Sequence, residues 1–361
     1  MRILILDNSM TIRKRMYENE AMGGTELNLL LLSEALSLLN HSVFLLCNTD
    51  SPDLNDEKFI LDRNINYRKY LDISDVIIIS RVIDNSVIED ISKLDRKIPI
   101  FLHTGDAYDQ PNIFPLFDRR FKNFFEEFFR SIITVSSWQA DTFSLYSGIP
   151  RDKFLVIPNC CFKYDWIYGY DLRDDDSMIF ASVPYKGLEF VYYIFNDIVK
   201  EFRKDIKLYC FSSMNLYNRE DDDVTKLIIN RIKNDSRVFY MEKVDVLTLL
   251  SFFRKSKIYI HPSTYHETFC ISIVQAQACG CVPIAVSSGA MSERIINGYN
   301  GFLVNCVDIR NYKCYKLFKD KVVEILDSDI YKVSLNAQSS AKQFEYMRVA
   351  SDFVNVLEKM I

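Results

Sequence analysis

The chain has 361 residues, of which 48% are hydrophobic and 26% are charged, and its formal net charge is −5. These proportions are typical of a soluble globular protein long enough for two domains, and they exclude the overall basic field of a nucleic-acid-binding protein. No apolar run is long enough to span a membrane, and the start, MRILILDNSM, lacks the apolar core and cleavage site of a signal peptide. We therefore expect a cytoplasmic protein whose nine scattered cysteines are reduced thiols.

The first half of the sequence alternates short apolar runs with helical patterns. A long apolar segment without glycine, residues 27–40, predicts a largely buried helix. Strands are predicted for RILIL, SVFLLC, DVIIIS, IPIFLH, SIITVS and KFLVIPN. These runs are apolar throughout, which is typical of strands that helices cover on both faces. Strand-then-helix repetition indicates a doubly wound parallel sheet.

The pattern pauses at the polar, acidic stretch YDWIYGYDLRDDDS (164–177) and then starts again. Further strands are predicted for MIFAS, IKLYCFS, RVFYM, KIYIHPS, VPIAVS and GFLV. The sequence therefore predicts an α/β protein with two Rossmann-like, doubly wound domains, over 1–165 and 166–340, and a C-terminal helix over 341–361 that crosses back to the first domain. Because open α/β sheets bind ligands beyond the carboxyl ends of their strands, we expect the two domains to face a ligand-binding cleft.

Two motifs of the first predicted domain stand where ligand contacts are common. Gly23 and Gly24, in AMGGTELNLL, precede a helix, and backbone amides at such a turn can approach a phosphate or a sugar closely. His103 ends the apolar strand IPIFLH, where a ligand-facing residue belongs. The alternatives are a glycine pair that only starts a core helix, and a histidine that a local carbonyl satisfies.

The second predicted domain has two motifs at helix starts. In FASVPYKGLEF, Lys186 precedes a helix, and a cation beside a helix N-terminus suits a diphosphate. In HPSTYHETFCISIVQAQACG, Glu267 lies in the loop before a helix that begins near Phe269. Gln275, two turns along that helix, could face the hydroxyls of a ligand or solvent. The alternatives are an exposed lysine and a helix-capping glutamate.

HETFCISIVQAQACGCVPIAVSSGAMSERIINGYNGFLV resembles the donor-binding region of retaining GT-B glycosyltransferases of family 4, the glycosyl transferases group 1. That family typically reads E-x-F-G-x-x-x-x-E-A-x-A-x-G-x-P-V-(I/V)-A, followed by a Gly-rich turn and G-x-x-G-x-L-V. The stretches GGTELNLLLLSEALSLLNHSVFLL, ITVSSWQADTFSLYSGIPRDKFLVIPN and FASVPYKGLEF are similar to further stretches of the family. The resemblance covers nearly the whole chain in the family's order. It implies the GT-B fold, with the first domain on the acceptor side and the second binding the donor.

The resemblance implies an enzyme that moves a sugar from a UDP- or GDP-linked donor to a glycan, lipid-linked or protein acceptor. It implies retention of the anomeric configuration, no metal and no other cofactor. By position, Lys186 would hold the donor diphosphate, Glu267 would contact the transferred sugar, and His103 would face that sugar, which makes these three the implied catalytic residues. The implied donor-binding residues are Gly23, Gly24, Lys186, Glu267, Thr268, Phe269, Cys270, Ile271 and Gln275.

This sequence departs from the family pattern at three places in the implied donor site. Gln275 stands where the second glutamate is usual, Cys270 replaces a glycine, and Ser182 and Val183 occupy the region of the usual arginine. These departures motivate an alternative hypothesis: a catalytically weak nucleotide-sugar-binding paralogue with a structural or regulatory role. A nicotinamide-dependent oxidoreductase is disfavoured because no G-x-G-x-x-G occurs.

Residues 114–132, FPLFDRRFKNFFEEFFRSI, interleave phenylalanines with basic residues. A helix with one apolar and one basic face could lie on an anionic membrane. The sequence therefore predicts peripheral membrane contact through this segment, and a helix that packs into the core of the first domain is the alternative.

Overall fold

The fold is that of a computed structural model. It describes the chain except for residues 82–84, 95–96, 111–112, 114–115, 169–172, 203–204, 218 and 307, and the side chains of residues 119 and 120. The strands are β1 (Arg2–Asp7), β2 (Ser42–Cys47), β3 (Phe59–Arg63), β4 (Val76–Ser80), β5 (Ile100–Thr104), β6 (Ser131–Thr134), β7 (Phe154–Val156), β8 (Asp174–Ala181), β9 (Lys207–Phe211), β10 (Val238–Met241), β11 (Ser256–His261), β12 (Val282–Val286) and β13 (Phe302–Val304).

The helices alternate with these strands along the chain. They are α1 (Gly24–Leu38), α2 (Arg68–Leu71), α3 (Asn85–Ser92), α4 (Arg119–Phe128), α5 (Ser137–Ser147), α6 (Leu188–Glu201), α7 (Asp223–Lys233), α8 (Val246–Lys255), α9 (Ile271–Ala278), α10 (Met291–Arg294), α11 (Tyr312–Leu326), α12 (Tyr331–Ala341) and α13 (Tyr346–Met360).

The strands form two parallel sheets, in the orders β3-β2-β1-β4-β5-β6-β7 and β10-β9-β8-β11-β12-β13. The predicted pair of doubly wound parallel sheets is confirmed. In each sheet the strand order reverses beside the first strand, between β1 and β4 in one and between β8 and β11 in the other. The helices leave such a switch point from opposite faces, and this opens a crevice at the carboxyl edge of the sheet where ligands bind.

The chain divides into two compact units. The first comprises Met1–Met16, Gly24–Cys161 and Phe344–Ile361, and the second comprises Tyr17–Gly23 and Phe162–Gln343. The last helix, α13, therefore lies in the first unit, where it packs against α1. Each unit has an apolar core of its own, built from its strands and the helices that cover them.

The aromatic segment 114–132 contributes to the core of the first unit. Phe121, Phe125 and Phe129 are buried there, as the core-helix alternative predicts. Phe114 and the side chains of Arg119 and Arg120 are outside the described residues, and membrane contact through this segment stays a prediction. No helix in the described part of the chain is long and apolar enough to cross a membrane.

The cysteines differ from the expectation at one pair. Cys306 and Cys314 form a disulfide with a Cα–Cα distance of 5.4 Å, so the expectation of reduced thiols is wrong for these two. The turn after β13 brings them together at the start of α11, although the sequence places them eight residues apart with no recognisable pattern. The other seven cysteines are thiols, as expected.

Candidate active site

The candidate site lies at the switch point of the second sheet, where β8 and β11 are neighbours. β8 ends at Ala181, and the chain then passes through a short 3₁₀ turn, Pro184–Lys186, into α6. β11 ends at His261, and the loop after it carries Glu267 into α9. Because parallel strands end at the same edge of a sheet, the two loops leave the sheet side by side.

A buried group of three charged side chains joins these loops. Lys186 Nζ lies 2.8 Å from Glu267 Oε1, and His261 Nε2 lies 3.2 Å from the same oxygen. The exposed fractions of the three side chains are 17% for Lys186, 6% for Glu267 and 1% for His261. Buried charges are costly unless they are paired, so each member of this group depends on the others to stay ionised.

A second layer of polar contacts fixes the imidazole ring of His261. The Tyr259 hydroxyl lies 3.2 Å from His261 Nδ1 and 2.9 Å from Ser272 Oγ. On the other side of the ring, Cys270 Sγ lies 4.0 Å from Nε2. The network connects β11 to the first turn of α9 and directs Nε2 towards Glu267.

The pKa values of the group are shifted towards the ionised forms. Burial raises the pKa of Glu267, but Lys186 and His261 outweigh burial and lower it to about 2. Burial lowers the pKa of Lys186, and Glu267 reverses that effect and raises it. Burial also lowers the pKa of His261, whereas Cys270 and Glu267 raise it, to about 9. At neutral pH the Lys186 ammonium and the Glu267 carboxylate are thus both ionised.

Two glycine turns hold the loop that carries Glu267. A Cβ atom on Gly289 would overlap the Glu267 carbonyl oxygen, and the Ala290 amide donates to that oxygen at 2.7 Å. A Cβ atom on Gly187, whose φ is 111°, would lie 3.0 Å from Pro262 Cγ. Only glycine allows so close an approach of two backbones, so these turns set the position of the carboxylate.

The same residues include potential metal ligands. One ligating atom each of His261, Glu267 and Cys270 lies within 4.8 Å of the other two, the separation that a metal ion would need. However, the ammonium of Lys186 already contacts the Glu267 oxygen, so a metal ion there would have to displace this cation. The chain supplies its own positive charge at the site, and the absence of a resident metal stays a prediction.

The other predicted residues of this region lie around the group and along α9. Phe269 is buried, with the guanidinium carbon of Arg294 4.2 Å from its ring centroid. Thr268 is buried, Cys270 has a left-handed φ of 64°, and Ile271 begins α9. Gln275 is buried, so it does not simply face solvent.

The predicted residues of the N-terminal region are divided between the units. Gly24 begins α1 in the first unit, and Gly23 lies in the second. His103 lies in β5 of the first unit, and its burial lowers its pKa to about 4, so the ring is neutral. The roles of Gly23, Gly24 and His103 towards a donor stay predictions. By contrast, Lys186 and Glu267 lie in the same unit and contact each other, so the two side chains can bind one ligand together.

His261, which contacts Glu267, was not among the predicted site residues. An apolar strand that ends in histidine had nevertheless identified His103 as a candidate. The same signal in KIYIHPS, next to the strand that precedes Lys186, would have added His261 to the site. Tyr265 was also missed: Lys186 Nζ lies 4.7 Å from the centroid of its ring.

The part of the chain that carries this site is similar to known proteins. Residues 178–322 match the family model of the glycosyl transferases group 1. The uncharacterized glycosyltransferase MJ1178 of Methanocaldococcus jannaschii is 26% identical over 212 residues, which are 58% of this chain and 55% of that protein. The chain thus matches about half the length of its curated relatives.

Solved structures match the chain over its full length. Sucrose-phosphate synthase from Thermosynechococcus elongatus superimposes with a TM-score of 0.74 at 14% identity, over 100% of this chain and 99% of that one. Anabaena HepE in complex with UDP and glucose gives a TM-score of 0.70 at 17% identity, over 99% and 100% of the two chains. The chain therefore has the GT-B fold, and its residues 178–322 match the model of the glycosyl transferases group 1.

Proposed function

We propose that the protein is a glycosyltransferase that moves a sugar from a UDP- or GDP-linked donor to an acceptor hydroxyl, with retention of the anomeric configuration. The observation that carries the proposal is the buried group of Lys186, Glu267 and His261 at the switch point of the second sheet. The ammonium of Lys186 suits the diphosphate of a donor, and the group lies inside the region that matches the glycosyl transferases group 1.

Glycosyl transfer separates charge at two places. Positive charge grows at the anomeric carbon, and negative charge grows on the departing diphosphate. Lys186, beside the N-terminus of α6, would stabilise the diphosphate, because an ammonium and helix amides both favour an anion. These groups do the work that a metal ion performs elsewhere, which supports a metal-independent reaction.

Glu267 is better suited to hold the sugar than to attack it. Its low pKa and its two cationic neighbours make the carboxylate a weak base and a weak nucleophile. We infer that the acceptor oxygen attacks from the face that the diphosphate leaves. The bond from the anomeric carbon to the phosphate oxygen breaks, the bond to the acceptor oxygen forms, and the acceptor proton passes to the departing phosphate.

A nucleotide-sugar panel tests the proposal. One class of UDP- or GDP-sugar should raise the melting temperature of the protein, because a ligand that binds only the folded state stabilises it. Lys186→Ala should abolish this shift and the turnover of the donor. Lys200→Ala, at an exposed lysine of α6, is the matched control and should leave both unchanged. An inverted product anomer, identified by NMR, would refute retention.

The second candidate function is a nucleotide-sugar-binding paralogue with little transferase activity. The observation that favours it is Gln275, an amide where the family has a carboxylate. If this amide is a weakened contact to the ribose, Gln275→Glu should tighten donor binding, since a charged acceptor forms a hydrogen bond about twice as strong. Donor binding without turnover in both the wild type and Gln275→Glu would support the paralogue.

A further inference from the structure

The ammonium of Lys186 contacts an aromatic ring as well as a carboxylate. Its Nζ lies 2.8 Å from Glu267 Oε1 and 4.7 Å from the centroid of the Tyr265 ring, over the face of that ring. A cation within about 6 Å of a ring centroid is attracted to the negative face of the ring. Because the Lys186 side chain is only 17% exposed, water screens this attraction weakly. The ring is therefore a second partner of the ammonium, on the same loop as the carboxylate.

The backbone of Tyr265 is fixed by two serines. Its amide donates to Ser263 Oγ at 3.1 Å, and its carbonyl oxygen accepts from Ser288 Oγ at 3.5 Å. Ser263 follows the end of β11 by two residues, and Ser288 follows the end of β12 by two residues. The two strands are neighbours in the sheet, so the loop that presents the ring is attached to two adjacent strand ends.

The ring of Tyr265 also contacts the residue that precedes the lysine. The rings of Tyr185 and Tyr265 form a T-shaped pair with 6.0 Å between their centroids. Tyr185 and Lys186 belong to the same short 3₁₀ turn, Pro184–Lys186. One ring thus contacts two successive residues of the turn that carries the ammonium, which restricts where this turn can place it.

An aromatic ring differs from a carboxylate in its effect on a cation. It attracts the ammonium but has no formal charge, so it does not repel an anionic ligand as a second carboxylate would. The ammonium has three N–H donors, enough to contact Glu267 and still donate to a phosphate. Fixing a lysine side chain costs roughly 1.5–2 kcal/mol of rotamer entropy. Here the fold orders Lys186 before a ligand arrives, and preorganisation of this kind increases affinity.

We propose that Tyr265 is a positioning residue for donor binding, whose ring holds the Lys186 ammonium in the orientation that binds the diphosphate of a nucleotide donor. The inference rests on the proposed function, in which Lys186 binds that diphosphate. It extends that function to an uncharged side chain that acts through the lysine. The ring itself is then required, whereas the phenolic hydroxyl is dispensable and an aliphatic side chain of similar position is insufficient.

UDP and uridine distinguish this role from simple packing, because they share a nucleoside and differ in the diphosphate. Both affinities are measured by ligand-observed NMR on the full chain, with GDP and guanosine as the second pair. In Tyr265→Leu, the diphosphate should bind about fivefold more weakly than in the wild type, as expected for the loss of one cation–π contact. The nucleoside should bind both proteins equally, because it has no phosphate for Lys186 to contact. A ring that only packs in the loop would change both affinities alike.

Two tyrosine variants serve as controls. Tyr265→Phe keeps the ring and loses the hydroxyl, so it should bind the diphosphate within about twofold of the wild type. Tyr312→Leu removes an exposed tyrosine of α11 in the same unit, and it should leave both affinities unchanged. Tyr265→Met provides a second aliphatic replacement if Tyr265→Leu folds poorly.

The inference is wrong if Tyr265→Leu binds the diphosphate as the wild type does, or if it weakens the diphosphate and the nucleoside alike. It is also wrong if Tyr265→Phe loses as much affinity as Tyr265→Leu, since the hydroxyl would then be responsible. Lys186→Ala, measured with the same probes, tests the proposed function separately. Diphosphate binding that requires Lys186 but not Tyr265 would overturn this inference alone. Binding that survives Lys186→Ala, or no binding of either diphosphate, would overturn the proposed function as well.

Discussion

Lys186 and Glu267 stabilise each other, because each neutralises a charge that burial would otherwise make costly. Glu267→Gln leaves the ammonium of Lys186 without its carboxylate partner. Breaking a buried ion pair by removing one member costs about 3–5 kcal/mol, so we expect the free energy of unfolding in urea to fall by about 3 kcal/mol.

The double variant Lys186→Met/Glu267→Gln gives the control for this pair. The double variant also removes the uncompensated ammonium, so it should be more stable than Glu267→Gln alone. The losses of stability in Lys186→Met and in Glu267→Gln could instead add up to the loss in the double variant. That result would show that the two charges do not interact, which would contradict the short distance between them.

Cys270 has backbone strain that a glycine would relieve. Its φ is 64°, and the family pattern has glycine at this position. A left-handed residue with a side chain costs roughly 1–2 kcal/mol, and alanine keeps this cost while glycine removes it. Cys270→Gly should therefore be about 1 kcal/mol more stable than Cys270→Ala by urea denaturation. Equal stability of the two variants would show that the strain is not released.

The residues of the site could be predicted to different extents. Lys186 and Glu267 follow apolar strands and precede helices, and the family resemblance singles them out. Their contact could not be predicted, since it depends on β8 and β11 being neighbours although 75 residues separate Ala181 from Ser256.

At the scale of elements, the turn between β12 and α10 determines where Glu267 lies. Gly289→Ala introduces a Cβ atom against the Glu267 backbone, and Gly298→Ala meets nothing within 4 Å. Both glycines are left-handed, with φ of 60° and 77°. The backbone strain of an alanine is therefore similar at the two positions, and only the overlap of its Cβ atom with neighbouring atoms differs. Overlap in a packed site costs about 1–3 kcal/mol, and Gly289→Ala should be less stable than Gly298→Ala by that amount.

The same two glycine variants distinguish an effect on the position of Glu267 from an effect on the stability of the protein. Gly289→Ala should also weaken donor binding, measured by titration calorimetry below the melting temperature, because it displaces the carboxylate. Gly298→Ala should bind the donor as the wild type does. Unchanged affinity in Gly289→Ala would mean that the loop adjusts without moving Glu267.

Some elements differ from the sequence prediction, each for a physical reason. β3 was not predicted, because FILDR combines two charges with three apolar residues at the edge of its sheet. β8 begins at Asp174, inside the polar stretch 164–177 where the strand pattern pauses, because acidic residues are tolerated at the exposed start of a strand. The predicted C-terminal helix over 341–361 is α13, which begins later than expected, at Tyr346, because the Glu345 carboxylate caps its first turn.

At the scale of the whole molecule, the two units should unfold as separate cooperative bodies, because each closes its own core. Phe353 in α13 and Phe318 in α11 are both fully buried, the first in unit one and the second in unit two. Truncating a buried phenylalanine to alanine costs about 3–5 kcal/mol. In calorimetry, Phe353→Ala should lower one transition, and Phe318→Ala should lower the other.

The donor identifies which transition belongs to which unit. A nucleotide sugar that binds at Lys186 should raise the transition that Phe318→Ala lowers, since ligand binding stabilises the unit that holds the site. The transition of the first unit, which contains α13, should rise less when the donor binds. If both substitutions lowered one common transition by the same amount, the chain would unfold as a single body, and the helix at its C-terminus would then contribute to the stability of the donor site as well.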